Sequence, residues 1–355
     1  MKDYRHFGLS RQWLADAKEH WETKYDWRKC EKRINSFDNW TVPIKDEGGF
    51  VFNIHFVGMF SSNPDAVPVL LLHGWPGSFM EFLGTLEELR NKYTEESLPF
   101  HLVVPSLPGY GYSSGPSLER DFDTEGMAGI MDKLMTGLGF GVEQGGYITQ
   151  GGDVGSFVSR ILAVRSEACK AVHLHLCIGK AKDSLEGLDE KEKKGVKRCE
   201  DFATMGNAYA REHGTRPATI GLVLSSSPVA LLAWVGEKFC QWSDETPPLD
   251  EILDSVTLYW FTESFPRAIY PYRQFFGAVP EFFHPSPQWY VTKPMGYSWH
   301  PQELSPVPKA WVAETGNLVW YRGHKEGGHF AAWEKPGLFV RDLEDFVREV
   351  WGKGR

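Results

Sequence analysis

The chain has 355 residues, 42% of them hydrophobic, and a formal net charge of −9. That composition supplies a packed core, and the length suits a core domain carrying an inserted second piece. The acidic balance argues against nucleic acid or an anionic membrane as partner. The absence of a signal-peptide pattern and of a run of about 20 apolar residues makes a soluble, cytoplasmic protein the expectation.

Residues 1–45 carry Trp13, Ala17, Trp21 and Tyr25 at four-residue spacing, the mark of an amphipathic helix. Aromatic side chains so spaced are more often packing contacts than ligand contacts, so this stretch is expected to be an arm wrapped on the body. Strand candidates follow. GFVFNIHFVGMF alternates at Phe50, Phe52, Ile54 and Phe56, while VPVLLLHG, FHLVVPSLPGYG and AVHLHLCIG are continuous apolar runs. GGYITQGGDVGSFVSRILAV reads as strand, sharp turn and helix. Such alternation predicts an α/β class with a mostly parallel central sheet and helices on both faces, whose ligands bind beyond the carboxyl ends of the strands.

From Lys180 to Arg198 the sequence is charged with both signs mixed, which reads as a solvated helix or linker and marks a boundary. The next hundred residues include SPVALLAWVGEKFCQW and predict helices. The sheet pattern returns with PKAWVAETGNLVWYRGH, and LFVRDLEDFVREVW predicts a terminal amphipathic helix. The resulting plan is an arm over 1–45, a core over 46–180 and 286–355, and a helical lid over 181–285. The five cysteines are odd in number and lack any C-x-x-C spacing, so free thiols in a reducing compartment are expected.

Gly151-Gly152-Asp153-Val154-Gly155 has the form G-x-nucleophile-x-G between a strand and a helix. Its glycines permit a strained turn that lifts the central side chain into the open at a helix N-terminus. This is the nucleophile elbow of the α/β-hydrolase fold, and the bland alternative is an aspartate capping an ordinary helix. Esterases use serine at such an elbow. A carboxylate is already ionised near neutral pH and suits displacement at an alkyl carbon, which leaves a covalent ester on the enzyme. The reaction classes narrow to alkyl electrophiles, chiefly epoxides and alkyl halides.

His73-Gly74-Trp75-Pro76-Gly77 ends the VLLLHG run. A turn of this kind supplies an oxyanion-hole amide, with the amide after the nucleophile as its partner, so Trp75 and Val154 take those roles. Pro76 is expected to follow a cis bond, and His73 to be structural. Gly327-Gly328-His329 lies late in the chain, where the order nucleophile, acid, histidine puts the general base. For the acid, Glu326 is close in sequence, but Glu303, 26 residues ahead of His329 and near another strand end, is the better candidate.

Together these motifs resemble the epoxide hydrolases of the microsomal class, in particular their soluble fungal branch. The resemblance runs through WRKCEKRINSF, HGWPGSF, SLPGYGYS, GGDVGS, TRPATIG, SSSPVALLAW, TESFPRAIYPYR and EGGHFAAWEKP, nearly the whole chain. It implies Asp153 as nucleophile, His329 as base and Glu303 as acid. It also implies two lid tyrosines that grip the epoxide oxygen, Tyr209 and Tyr272, with Tyr270 as rival to the latter. The implied reactants are a small-molecule epoxide and water, with no metal or organic cofactor. A homodimer is compatible with the resemblance. Many members of the class have Trp after the nucleophile, where this chain has Val154. That departure disfavours the first alternative, a haloalkane dehalogenase, which needs N–H donors for halide. The second, a non-catalytic hydrolase-fold binding protein, would be expected to lack a catalytic residue, and none is missing.

Overall fold

The computed structural model describes residues 7–119, 121–178, 184–276 and 284–351. Its centre is an eight-stranded sheet in the order β1-β2-β4-β3-β5-β6-β7-β8. The strands are β1 (Asp38–Lys45), β2 (Val51–Met59), β3 (Val67–Leu72), β4 (Phe100–Pro105), β5 (Tyr147–Gly151), β6 (Cys169–Leu174), β7 (Val291–Trp299) and β8 (Gly316–Gly323). β2 runs antiparallel to both its neighbours, and every other pairing is parallel. The five runs expected to be strands between residues 49 and 179 became β2, β3, β4, β5 and β6. β3 is buried at all six positions and β5 at all five, the continuous burial of parallel strands covered on both faces.

The helix Arg11–Thr23 holds the Trp13, Ala17, Trp21 periodicity, and Ser10 caps it by accepting from the Trp13 amide. The stretch read as an arm ends in β1, the edge strand of the sheet. β1 has no alternating signature because only Ile44 is fully buried, and Pro43 sits where an edge strand tolerates it. Within PKAWVAETGNLVWYRGH only the second half is strand, since Lys309–Ala313 is a short helix that leads into β8.

Between β6 and β7 the chain leaves the sheet. The described residues there form helices Glu190–Asp201, Ala208–Thr215, Pro217–Ser225, Pro228–Trp242, Leu249–Phe261, Phe265–Ala268 and Tyr272–Phe276. The beginning of the charged stretch at Lys180, and with it the boundary drawn between 180 and 181, lies outside the described residues. No single helix among the described residues is long and apolar enough to cross a membrane.

Burial fixes the charge of several histidines. It pushes His55, His73, His173 and His300 down to about 4, and His175 and His213 to about 3, from the ordinary 6.5. In the window between, the unfolded chain binds protons that the folded chain excludes, so stability falls as the pH drops. Each such histidine costs about 3 kcal/mol once the pH is below its folded value. A few of them together match the roughly 5–15 kcal/mol that holds a typical domain. Steep, multi-proton unfolding between pH 6.5 and 4 is therefore expected in an acid titration followed by circular dichroism. A signal that stays flat down to pH 4 would contradict it.

Candidate active site

The site forms where three strand ends meet. β5 stops at Gly151, and Asp153 begins the helix Asp153–Arg165 with φ of +46°, a left-handed conformation that non-glycine residues rarely hold. Gly152 makes that turn fit, because a Cβ there would lie 1.8 Å from His175 Nε2. The turn after β3 brings in the second element. Trp75 N–H donates to Asp153 Oδ1 at 2.7 Å, and the Trp75–Pro76 bond is cis, as expected. The Val154 amide is in the first helical turn, where backbone N–H groups lack an intrahelical acceptor. His73 is buried and structural in its contacts, accepting from the Leu107 amide at 3.1 Å.

The third element is the loop after β8. His329 Nε2 lies 3.2 Å from Asp153 Oδ2, and its Nδ1 donates to Glu303 Oε1 at 2.5 Å. Glu303 is wholly buried, and its Oε1 also accepts from the Leu304 amide. Glu326 instead pairs at the surface with Lys335. Of the two carboxylates left open by the sequence, Glu303 is therefore the one beside His329. Arg198 grips the backbone of the acid segment through the carbonyls of Gln302 and Glu303. The His329 segment is anchored to the inserted helices. His329 N–H donates to the Trp242 carbonyl at 2.9 Å, and a Cβ on Gly328 would come within 2.5 Å of that same oxygen.

Electrostatics sets the protonation. Burial alone would lower His329, but the carboxylates of Glu303 and Asp153 outweigh it and push the imidazole up to about 10. Burial likewise opposes the charge on Glu303, and His329 more than offsets this, holding its carboxyl below the usual range. The resting group is thus an imidazolium between two carboxylates.

Aromatic rings from the inserted helices pack on the Trp75 side chain of this turn. Tyr209 stacks on Trp75 with centroids 5.0 Å apart, and Tyr272 lies edge-on to Tyr209 at 5.9 Å. Both tyrosines are buried, their hydroxyls interact with each other, and the charge of Asp153 acts on both. Burial first, then nearby negative charge, raises both phenols well above their ordinary range, so they remain donors. Tyr270, the rival, is only half-buried. Trp242 covers His329, their centroids 5.1 Å apart.

Several residues beside this site carry no signature in the sequence. Glu81 is buried against the Trp75–Gly77 turn, its Oε1 occupying the space that a Gly77 side chain would need. Burial, aided by the charge of Asp153, raises its carboxyl to about 8. Tyr110 and Tyr259 are buried and feel the charges of both Asp153 and Glu81. Among the described residues no cluster of three or more histidine, cysteine or acidic side chains could hold a metal ion.

Comparison with known proteins agrees along the whole chain. The family model described as "Epoxide hydrolase N terminus" matches residues 1–82, and that of the alpha/beta hydrolase fold matches residues 67–238. The chain is similar to the solved epoxide hydrolase of Aspergillus niger, with 53% identity and a TM-score of 0.91, covering 97% of this chain and 87% of that one. A relative from Dothistroma septosporum is 45% identical over 352 residues, 98% of this chain and 81% of its own length. Epoxide hydrolase 1 of Sus scrofa is 30% identical over 379 residues, covering 96% of this chain and 81% of its own. Likeness of that degree, sustained from the first strand through the histidine loop, means that this chain belongs to the epoxide hydrolase family.

Proposed function

We propose that the protein converts small-molecule epoxides to vicinal diols through a covalent ester on Asp153. The observation that carries this reading is the aspartate at the elbow, with one oxygen on the Trp75 amide, the other beside His329, and two buried phenols on which its charge acts. Asp153 attacks one epoxide carbon, and the C–O bond of the ring breaks. The oxygen that leaves is an alkoxide, which Tyr209 and Tyr272 stabilise and protonate. The proton on His329 makes good that loss. Esterification removes the negative charge of Asp153, so the imidazole loses one of the two carboxylates that raised it and becomes a base. It then takes a proton from water, which attacks the ester carbonyl while the Trp75 and Val154 amides hold the oxyanion. Collapse releases the diol and restores the imidazolium and the Asp153 carboxylate. The cycle balances with no proton exchanged overall and no other reactant.

The helices over 181–285 act in this reading as a lid on the core of 46–180 and 286–355, with 1–45 as an arm. Five cysteines outside any disulfide fit a reducing, cytoplasmic setting. Incubation with styrene oxide and with a bromoalkane tests the reading. Diol without bromide is expected, whereas bromide release would favour dehalogenation and neither product would overturn the enzymatic reading. Tyr209→Phe and Tyr272→Phe should each slow ring opening by about 10- to 100-fold in single-turnover mixing. The double change should be nearly inactive, because each donor alone stabilises the alkoxide in part. A larger loss from Tyr270→Phe would move the second donor to that residue.

A further inference from the structure

Four residues after Tyr209, on the helix Ala208–Thr215, stands His213. A four-residue step puts the two side chains on one helix face. His213 is wholly buried, and its ring lies 4.6 Å from Trp75, 5.0 Å from Tyr272 and 5.4 Å from Tyr209. It belongs to the same aromatic wall as the two phenols, yet the reaction as written leaves it unused.

Its tautomer follows from its neighbour. Trp234 Nε1 sits 3.0 Å from His213 Nε2. An indole N–H only donates, so Nε2 must be the bare, accepting nitrogen. Burial first, then the Lys238 cation, pushes the ring down to about 3, so it is neutral around pH 7. The single ring proton is therefore on Nδ1, and that buried Nδ1 finds no partner among the described residues. Buried donors are nearly always satisfied, so one left open in the aromatic wall that carries the two phenols points to a ligand atom. The His213 ring lies beside the two phenols, 5.4 Å from Tyr209 and 5.0 Å from Tyr272, so an acceptor that reached it would sit a few bonds from an oxygen those phenols hold.

We propose that His213 Nδ1–H is a specificity-determining donor that receives a second acceptor atom of the substrate, a few bonds from the epoxide ring. The proposal rests on the reading of this site as an epoxide-opening one and narrows its substrate class. The preferred substrates are epoxides bearing an ether, hydroxyl or carbonyl oxygen near the ring, over hydrocarbon epoxides of the same shape.

The test compares kcat/KM for phenoxymethyl oxirane and phenethyl oxirane, which differ by an ether oxygen in place of a methylene. The wild type is expected to prefer the ether by about three- to tenfold, the discrimination of one neutral hydrogen bond. His213→Phe keeps an aromatic ring and removes the proton, and should bring the ratio to about one. Because that change strands the Trp234 indole, the double variant His213→Phe with Trp234→Phe removes both partners and should also give a ratio of about one. No preference in the wild type, or a preference that survives either variant, would overturn the proposal. Failure of the wild type to form diol from either oxirane would overturn the epoxide reading itself.

Discussion

Mixed with an epoxide, a His329→Gln variant is expected to gain the mass of one substrate molecule and then stop. Attack by a carboxylate needs no base, while attack by water on an ester does, so the two half-reactions should separate at this residue. The Trp75 amide still orients Asp153 through Oδ1, so the nucleophile remains in position. Turnover should fall by at least about a thousandfold, and the added mass should map to the peptide containing Asp153. Glu303→Gln should show a milder form of the same behaviour, since Glu303 orients His329 and stabilises its charge. An unmodified variant with normal turnover would remove His329 from the mechanism.

Asp153→Asn removes the other half. An amide keeps the shape and the contact with the Trp75 amide but is no nucleophile, so neither ester nor diol should form, a loss of about ten thousandfold or more. Mass spectrometry must exclude slow deamidation back to aspartate. In the wild type, a single turnover in oxygen-18 water should leave label in Asp153 and none in the diol, because the diol oxygen comes from the carboxylate. Label in the diol on the first turnover would mean direct attack by water, with Asp153 acting as a base.

The residues whose identity is dictated by local backbone were legible in the sequence. The elbow could be read because its glycines answer to steric demands within five residues, and the GGH loop because its position in chain order constrains its role. Glu303 could be proposed from that order, but its burial against His329 depends on the isolated pairing of Gln302 with Gly328, which no local pattern announces. β7 was expected only as an unplaced strand end, since VTKPMGYSW carries a lysine, a proline and a glycine and shifts register against β8. Glu81 reads as an ordinary surface carboxylate until the missing side chain of Gly77 opens a slot for it. His213 reads as a lone histidine until Trp234, 21 residues on, fixes its tautomer. Tyr272 packs edge-on to Trp75, a long-range contact invisible in the YPY motif itself.

The attachment of the His329 amide to the Trp242 carbonyl, reinforced by Gly327 N–H donating to Asp244 Oδ2 at 2.9 Å, has a practical consequence for anyone reshaping this enzyme. The helix Pro228–Trp242 both places Trp242 against Tyr209 and ends on the loop that carries His329. Remodelling that helix to admit larger epoxides therefore also adjusts the grip on the imidazole. Variants selected there for faster ring opening should accumulate unhydrolysed ester, and a screen that scores only substrate consumption in the first turnover would reward enzymes that cannot complete a second.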